Sequence, residues 1–178
     1  MPITIDILII ILLVFANAFF SMAEFAIISA RRLRLQKMAE GGDMGARTAL
    51  ELAEEPTPFL STIQIGITVI GILAGAFGGA TIAQPIAEFL AGIPLVAPYS
   101  SPVAIALVVI GITYLTLVIG ELVPKRVAMS NAERIASTVA GPMRSLSKVG
   151  APLVRLLSVS TEAVLLLLKV KEPAEPEV

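Results

Sequence analysis

All 13 Lys and Arg residues of this 178-residue chain fall in two blocks, residues 31–47 and 125–171. Residues 1–30 and 48–124 carry none. Only 15% of the chain is charged and 56% is hydrophobic, against about 25% charged in an average soluble domain. The pattern excludes an ordinary soluble domain, a disordered chain and a nucleic-acid binder, the last of which needs a basic surface. Cys and His are both absent. Disulfides, thiol catalysis and zinc-thiolate sites are thereby excluded, and imidazole acid–base chemistry with them. No nucleophile–base pair or phosphate loop is present, so the chain is not read as an enzyme.

A helix crossing the hydrocarbon core needs about 20 mostly apolar residues. Three stretches qualify, at about residues 5–30, 59–83 and 102–124. The first has Asp6 where a cleaved leader would have a basic flank. Pro56 and Pro58 precede the second, as suits a helix start. Residues 130–168 carry Arg134, Arg144, Lys148, Arg155 and Glu162, with Pro142 and Pro152 as interruptions. They read as amphipathic helices lying at the interface. A fourth span at about 149–168 is the alternative, and it would put Arg155 and Glu162 in lipid. Cations mark cytoplasmic flanks. The segments after the first and third spans are therefore inside, and the cation-free loop at 84–101 is outside. The expected fold is an all-α membrane protein with three transmembrane helices and cytoplasmic juxtamembrane helices. Its N-terminus is outside and its C-terminus inside. Residues 1–168 form this unit. Residues 169–178 alternate Glu, Pro and Lys like the start of a linker, so a cytosolic domain is expected to follow.

Ionisable groups at membrane depth are costly and are functional candidates. The spans place two there, Glu24 and Glu121. Asn17, Ser21 and Glu24 recur at i, i+4 and i+7 on the first span, one helical face. Gln64 and Thr68, with Gly71 and Gly75, do the same on the second. Taking about 1.5 Å of rise per residue, Gln64 and Thr68 lie roughly 8 and 13 Å into the bundle from the cytoplasmic side. Interhelical hydrogen bonding is the plain explanation of such stripes. With a third on the third span, where Tyr114, Leu117 and Glu121 line one face, three such stripes converging would make an oxygen-lined pocket open to the cytoplasm. With a carboxylate and no His or Cys, such a pocket suits a hard cation such as magnesium, calcium or sodium. Lys125, one turn beyond Glu121, is the competing partner for that carboxylate. Pro124 has no backbone N–H and so frees the Gly120 carbonyl; Gly66 is a second candidate for exposed backbone.

Three motifs then resemble one family. Asn17-Ala-Phe-Phe-Ser21-Met-Ala-Glu24, Gln64-Ile-Gly66-Ile-Thr68-Val-Ile-Gly71 and Gly120-Glu121-Leu-Val-Pro124-Lys125 resemble the three helices of the cyclin M / CorC transmembrane domain. The likeness covers about residues 5–168 and is nearest to bacterial CorC-type members. It implies a magnesium transporter of the plasma (inner) membrane, usually read as an exporter. It implies a homodimer of three-span subunits and a cytosolic paired CBS module that binds nucleotide. By matching motifs it puts the ion site at Ser21, residues 66–68 and Glu121. Many members have Asn where Ile67 or Thr68 stands and a second Ser where Ala23 stands, which leaves backbone carbonyls to complete the ligands.

The expected ion site is therefore Ser21, Thr68, Glu121, Asn17, Gly66 and Gly120, supported by Glu24, Gln64 and Lys125. The expected function is magnesium export by alternating access, driven by an inward sodium gradient. Two alternatives stand beside it: a membrane anchor or sensor with a structural cation, and a sodium-selective carrier.

Overall fold

The structure is a computed structural model that describes residues 3–168. The linker expected at 169–178 lies outside the described residues. The chain runs α1 (Ile3–Ser29), α2 (Arg32–Glu40), α3 (Met44–Glu54) and α4 (Pro56–Phe77). A π-helical turn, Gly78–Ile82, carries α4 into α5 (Ala83–Ala91). A 3-10 turn at Ala97–Tyr99 leads to α6 (Ser100–Leu117). A second π-turn, Val118–Leu122, carries α6 into α7 (Val123–Ser130), and α8 (Ala132–Leu167) follows.

Among the described residues, four helical segments are long and apolar enough to cross a membrane: Thr4–Ser29, Pro56–Ala91, Ala97–Ser130 and Ala132–Leu167. Together they make a multi-pass membrane protein. The expectation of three spans meets a fourth qualifying segment, because α8 is one unbroken helix. Pro142 and Pro152 lie inside α8 without ending it. A proline in a helix interior costs about 3 kcal/mol. Packing of Ala136, Val139, Ala140 and Met143 into the core offsets the first. The second and third segments also run past the expected ends at 83 and 124. The π-turns keep the backbone hydrogen-bonded, so the expected loop at 84–101 begins only after Ala91.

The core sits at the cationic end. Ala23, Ala26 and Ile27 of α1 meet Leu35, Ala46, Ala49, Phe59, Ile63, Ala128, Ala136 and Ala140 there. Alanine at so many positions lets backbones approach closely, the usual basis of helix packing where lipid supplies no hydrophobic drive. A turn after α2 forms at Gly41–Asp43, with Gly42 at φ 94°, a left-handed conformation glycine adopts without a Cβ clash. Asp43 then caps α3. Its Oδ1 accepts from the Ala46 amide at 3.0 Å and from the Ser137 hydroxyl of α8 at 2.8 Å. Arg144 of α8 reaches Glu51 of α3 at 2.9 Å.

Candidate functional site

The site begins on α1. Asp6, Ile10, Val14, Asn17 and Ser21 are all buried and follow helical spacing, so one face of α1 looks into the bundle. Asn17 is 2% exposed and Ser21 1%. The second π-turn packs against this face. Asn17 Nδ2 donates to the Gly120 carbonyl at 3.0 Å, joining segments 103 residues apart. In an α-helix that carbonyl would accept from the amide four residues on. That residue is Pro124, which has no N–H, so the carbonyl is open to a side chain. A Cβ on Gly120 would lie 3.0 Å from Asn17 Nδ2, so glycine permits the approach.

One polar atom of this junction is left over. A carbonyl can only accept, so the amide nitrogen must face Gly120 and Asn17 Oδ1 must face away. Asn17 Oδ1 is buried and has no hydrogen-bond partner. Leaving a buried acceptor unpaired costs about 1–3 kcal/mol. Next to Gly120 stands Glu121, whose side chain is 39% exposed. Its Oε1 accepts from Lys125 Nζ at 2.7 Å. The Asn17–Gly120 junction thus holds an orphan amide oxygen and a backbone carbonyl, with the Ser21 hydroxyl one turn along the same face of α1 and the Glu121 carboxylate on the next residue of the π-turn. Every donor is oxygen, the set a hard cation prefers.

The other expected residues lie elsewhere. Thr68 is exposed, and its hydroxyl donates to the Gln64 carbonyl of its own helix at 2.8 Å. Gln64 is exposed and lines a groove of about 590 Å³ between α4 and α8, with Ser61, Ser158 and Glu162. The physical reason is the rotation of α4. Phe59, Thr62, Ile63, Ile70 and Ala74 take its buried face, which turns Gln64 and Thr68 outward. Gly71 and Gly75 instead line a small cavity of about 170 Å³ against α6, facing Thr113 and Thr116. Gly66 packs near Phe20, and a Cβ there would be 3.3 Å from the ring. Glu24 is half-buried and joins no ion pair among the described residues.

Two features escape sequence reasoning. Glu24 and Glu121 are not the only carboxylates at helix depth: Asp6, which reads as a flank, is 4% exposed on the buried face of α1. The second feature is the pair of π-turns, each followed within three residues by a proline, Pro85 and Pro124. That proline is the signal in the sequence, since a widened turn accommodates a missing donor. Such turns recur at functional sites. Among the described residues no three acidic side chains cluster, so a cation bound here would draw most of its ligands from neutral oxygens.

The cyclin M transmembrane N-terminal domain family matches residues 8–178. The chain belongs to this family. A UPF0053 protein of Synechocystis is 56% identical over 156 residues, covering 88% of this chain and 35% of that relative. A protein of Haemophilus influenzae named polyamine export protein is 33% identical over 148 residues, covering 83% of this chain and 34% of the relative. An Escherichia coli protein of the same name is 29% identical over 149 residues, covering 84% and 33%. This cyclin M domain therefore spans about a third of the length of each of these relatives. Family and relatives together point to membrane transport.

Proposed function

We propose that this cyclin M domain transports magnesium, exporting it by alternating access with an inward sodium gradient as the driving force. The observation that carries the reading is the orphan Asn17 Oδ1, buried beside Ser21 and the Gly120–Glu121 turn. A bound cation gives that oxygen the partner it lacks. Magnesium suits oxygen ligands and near-octahedral geometry, with some positions filled by water. Ser21, Asn17 Oδ1, the Gly120 carbonyl and Glu121 are the proposed ligands. The site is reached from the end where Lys125 and the cationic helices lie. The working unit is proposed to be a homodimer in the plasma membrane, carrying a cytosolic CBS-type domain in the longer protein.

A second reading is favoured by the relatives named polyamine export protein. The ammonium groups of a polyamine would donate to the same oxygens and pair with the same carboxylate. Flux from proteoliposomes containing the full-length protein separates the two. Magnesium efflux abolished by Glu121→Gln supports the first reading. Spermidine efflux without magnesium efflux replaces it with the second. A sealed vesicle that passes neither ion leaves the domain as an anchor or sensor.

A further inference from the structure

Lys125 has a place in this site that helix stability does not require. Residues 48–124 contain no cation, so Lys125 is the first one after the third hydrophobic stretch. It is bonded to Glu121 at 2.7 Å, with both side chains a third or more exposed. An exposed pair at i and i+4 adds little to the stability of a helix. The effect on an ion is larger in kind. A magnesium ion coordinates carboxylate oxygen at about 2.1 Å. An ammonium held to the same Oε1 would then face a divalent charge a few ångströms away, and the two repel. Even with the ion on the free Oε2, the two cations share one carboxylate, and each weakens the hold on the other.

We propose that Lys125 is a tethered counter-cation that competes with the transported ion for Glu121 and neutralises it when the site is empty. The inference rests on the cation-transport reading given above. It has two consequences for a carrier. The empty site does not leave a bare carboxylate to be carried through a low-dielectric bundle, where an unpaired charge is costly. The returning ammonium also helps to expel the ion, so affinity is held down in favour of release. The side chain suits this role. Its charge sits on a flexible four-carbon stem, which lets it swing away while α7 stays in place.

The sign of one measurement separates this role from simple support of the turn. If Lys125 only props Glu121, removing its charge weakens ion binding. If it competes, removing its charge tightens binding. Magnesium affinity is measured by calorimetry on the full-length protein in detergent, and efflux on the same protein in liposomes. Lys125→Met is expected to bind magnesium about two- to fivefold tighter, the equivalent of breaking a half-exposed ion pair. Its maximal efflux rate is expected to fall severalfold, because release and return both slow. Lys125→Arg keeps the charge and is expected to stay near the unaltered protein in affinity. Unchanged or weaker binding in Lys125→Met overturns the inference and leaves the transport reading intact. Absence of magnesium binding by the unaltered protein overturns the transport reading and the inference with it.

Discussion

Two polar junctions hold this molecule together across long stretches of sequence, and they differ in one respect. At the cationic end, Asp43 joins α3 to Ser137 of α8. Within the bundle, Asn17 joins α1 to Gly120 of the second π-turn. At the first junction both carboxylate oxygens are used: Oδ1 by Ala46 and Ser137, and Oδ2 by the same hydroxyl at 2.9 Å. At the second, Asn17 uses its nitrogen and leaves Oδ1 unpaired. A junction whose polar atoms are all satisfied is doing structural work. A junction that retains an unsatisfied acceptor in a buried place is a candidate to bind something.

The sharpest way to break the contrast is Glu121→Gln. Removing the proposed carboxylate ligand, on the residue after Gly120, is expected to lower magnesium affinity by more than about a hundredfold, beyond the roughly 10–100-fold that changes around a metal site cost. Calorimetry on the full-length protein reads this directly. Asn17→Leu comes next. It leaves the Gly120 carbonyl unpaired but also removes the orphan Oδ1, and each change is worth about 1–3 kcal/mol with opposite sign. Thermal stability should therefore move little while magnesium affinity falls about tenfold. A large loss of stability with unchanged affinity would make Asn17 a structural residue like Asp43.

Ser137→Ala is the mirror experiment. It should lower the unfolding midpoint in detergent and leave magnesium affinity unchanged, since neither Asp43 nor Ser137 is among the proposed ligands. The same junction predicts a dependence on acid. The Ala46 amide, the Ser137 hydroxyl and the Gly45 amide hold the Asp43 carboxyl below its ordinary value of 3.8. A carboxyl with a lowered pKa contributes its stabilisation in full above the ordinary value and loses it as pH falls below it. The stability difference between the unaltered protein and Asp43→Asn is thus expected to persist at neutral pH and close below 3.8. A difference that grows in acid would reverse the sign and overturn the account. The smallest effect is expected at Thr68→Val. Thr68 is exposed and bonded within its own helix. Surface changes of this kind lie within about 0.5 kcal/mol, so magnesium affinity should change by about twofold or less.

Much of this was legible in the residues. Asn17, Ser21, Gly120 and Glu121 stand out as polar groups in apolar helices, and the loss of the Pro124 donor points to an open Gly120 carbonyl. The bond from Asn17 to that carbonyl uses the opening. Gln64 and Thr68 stand out just as clearly, yet they face outward. Their stripe and the Phe59–Ile63–Ile70–Ala74 stripe lie on different faces of α4, and the larger apolar side chains take the interior. Asp6 was obscured for a different reason. A carboxylate in the first turn of a helix is ordinary, favoured by the helix dipole, so nothing in its local sequence separates a flank from a buried position.

The sequence by itself determined the membrane class, because long cation-free apolar stretches have no stable place in water. It also limited what the chain can offer a cation, because without His or Cys the imidazole and thiolate ligands are excluded. Only the tertiary structure decided which face of each helix is interior. Rotation about a helix axis is set by the neighbours it packs against, and in apolar helices several faces are nearly equivalent by composition. Asn17 became a buried, bundle-facing residue, and Thr68 a surface one, when α1 met the second π-turn and α4 turned its phenylalanine and isoleucines inward.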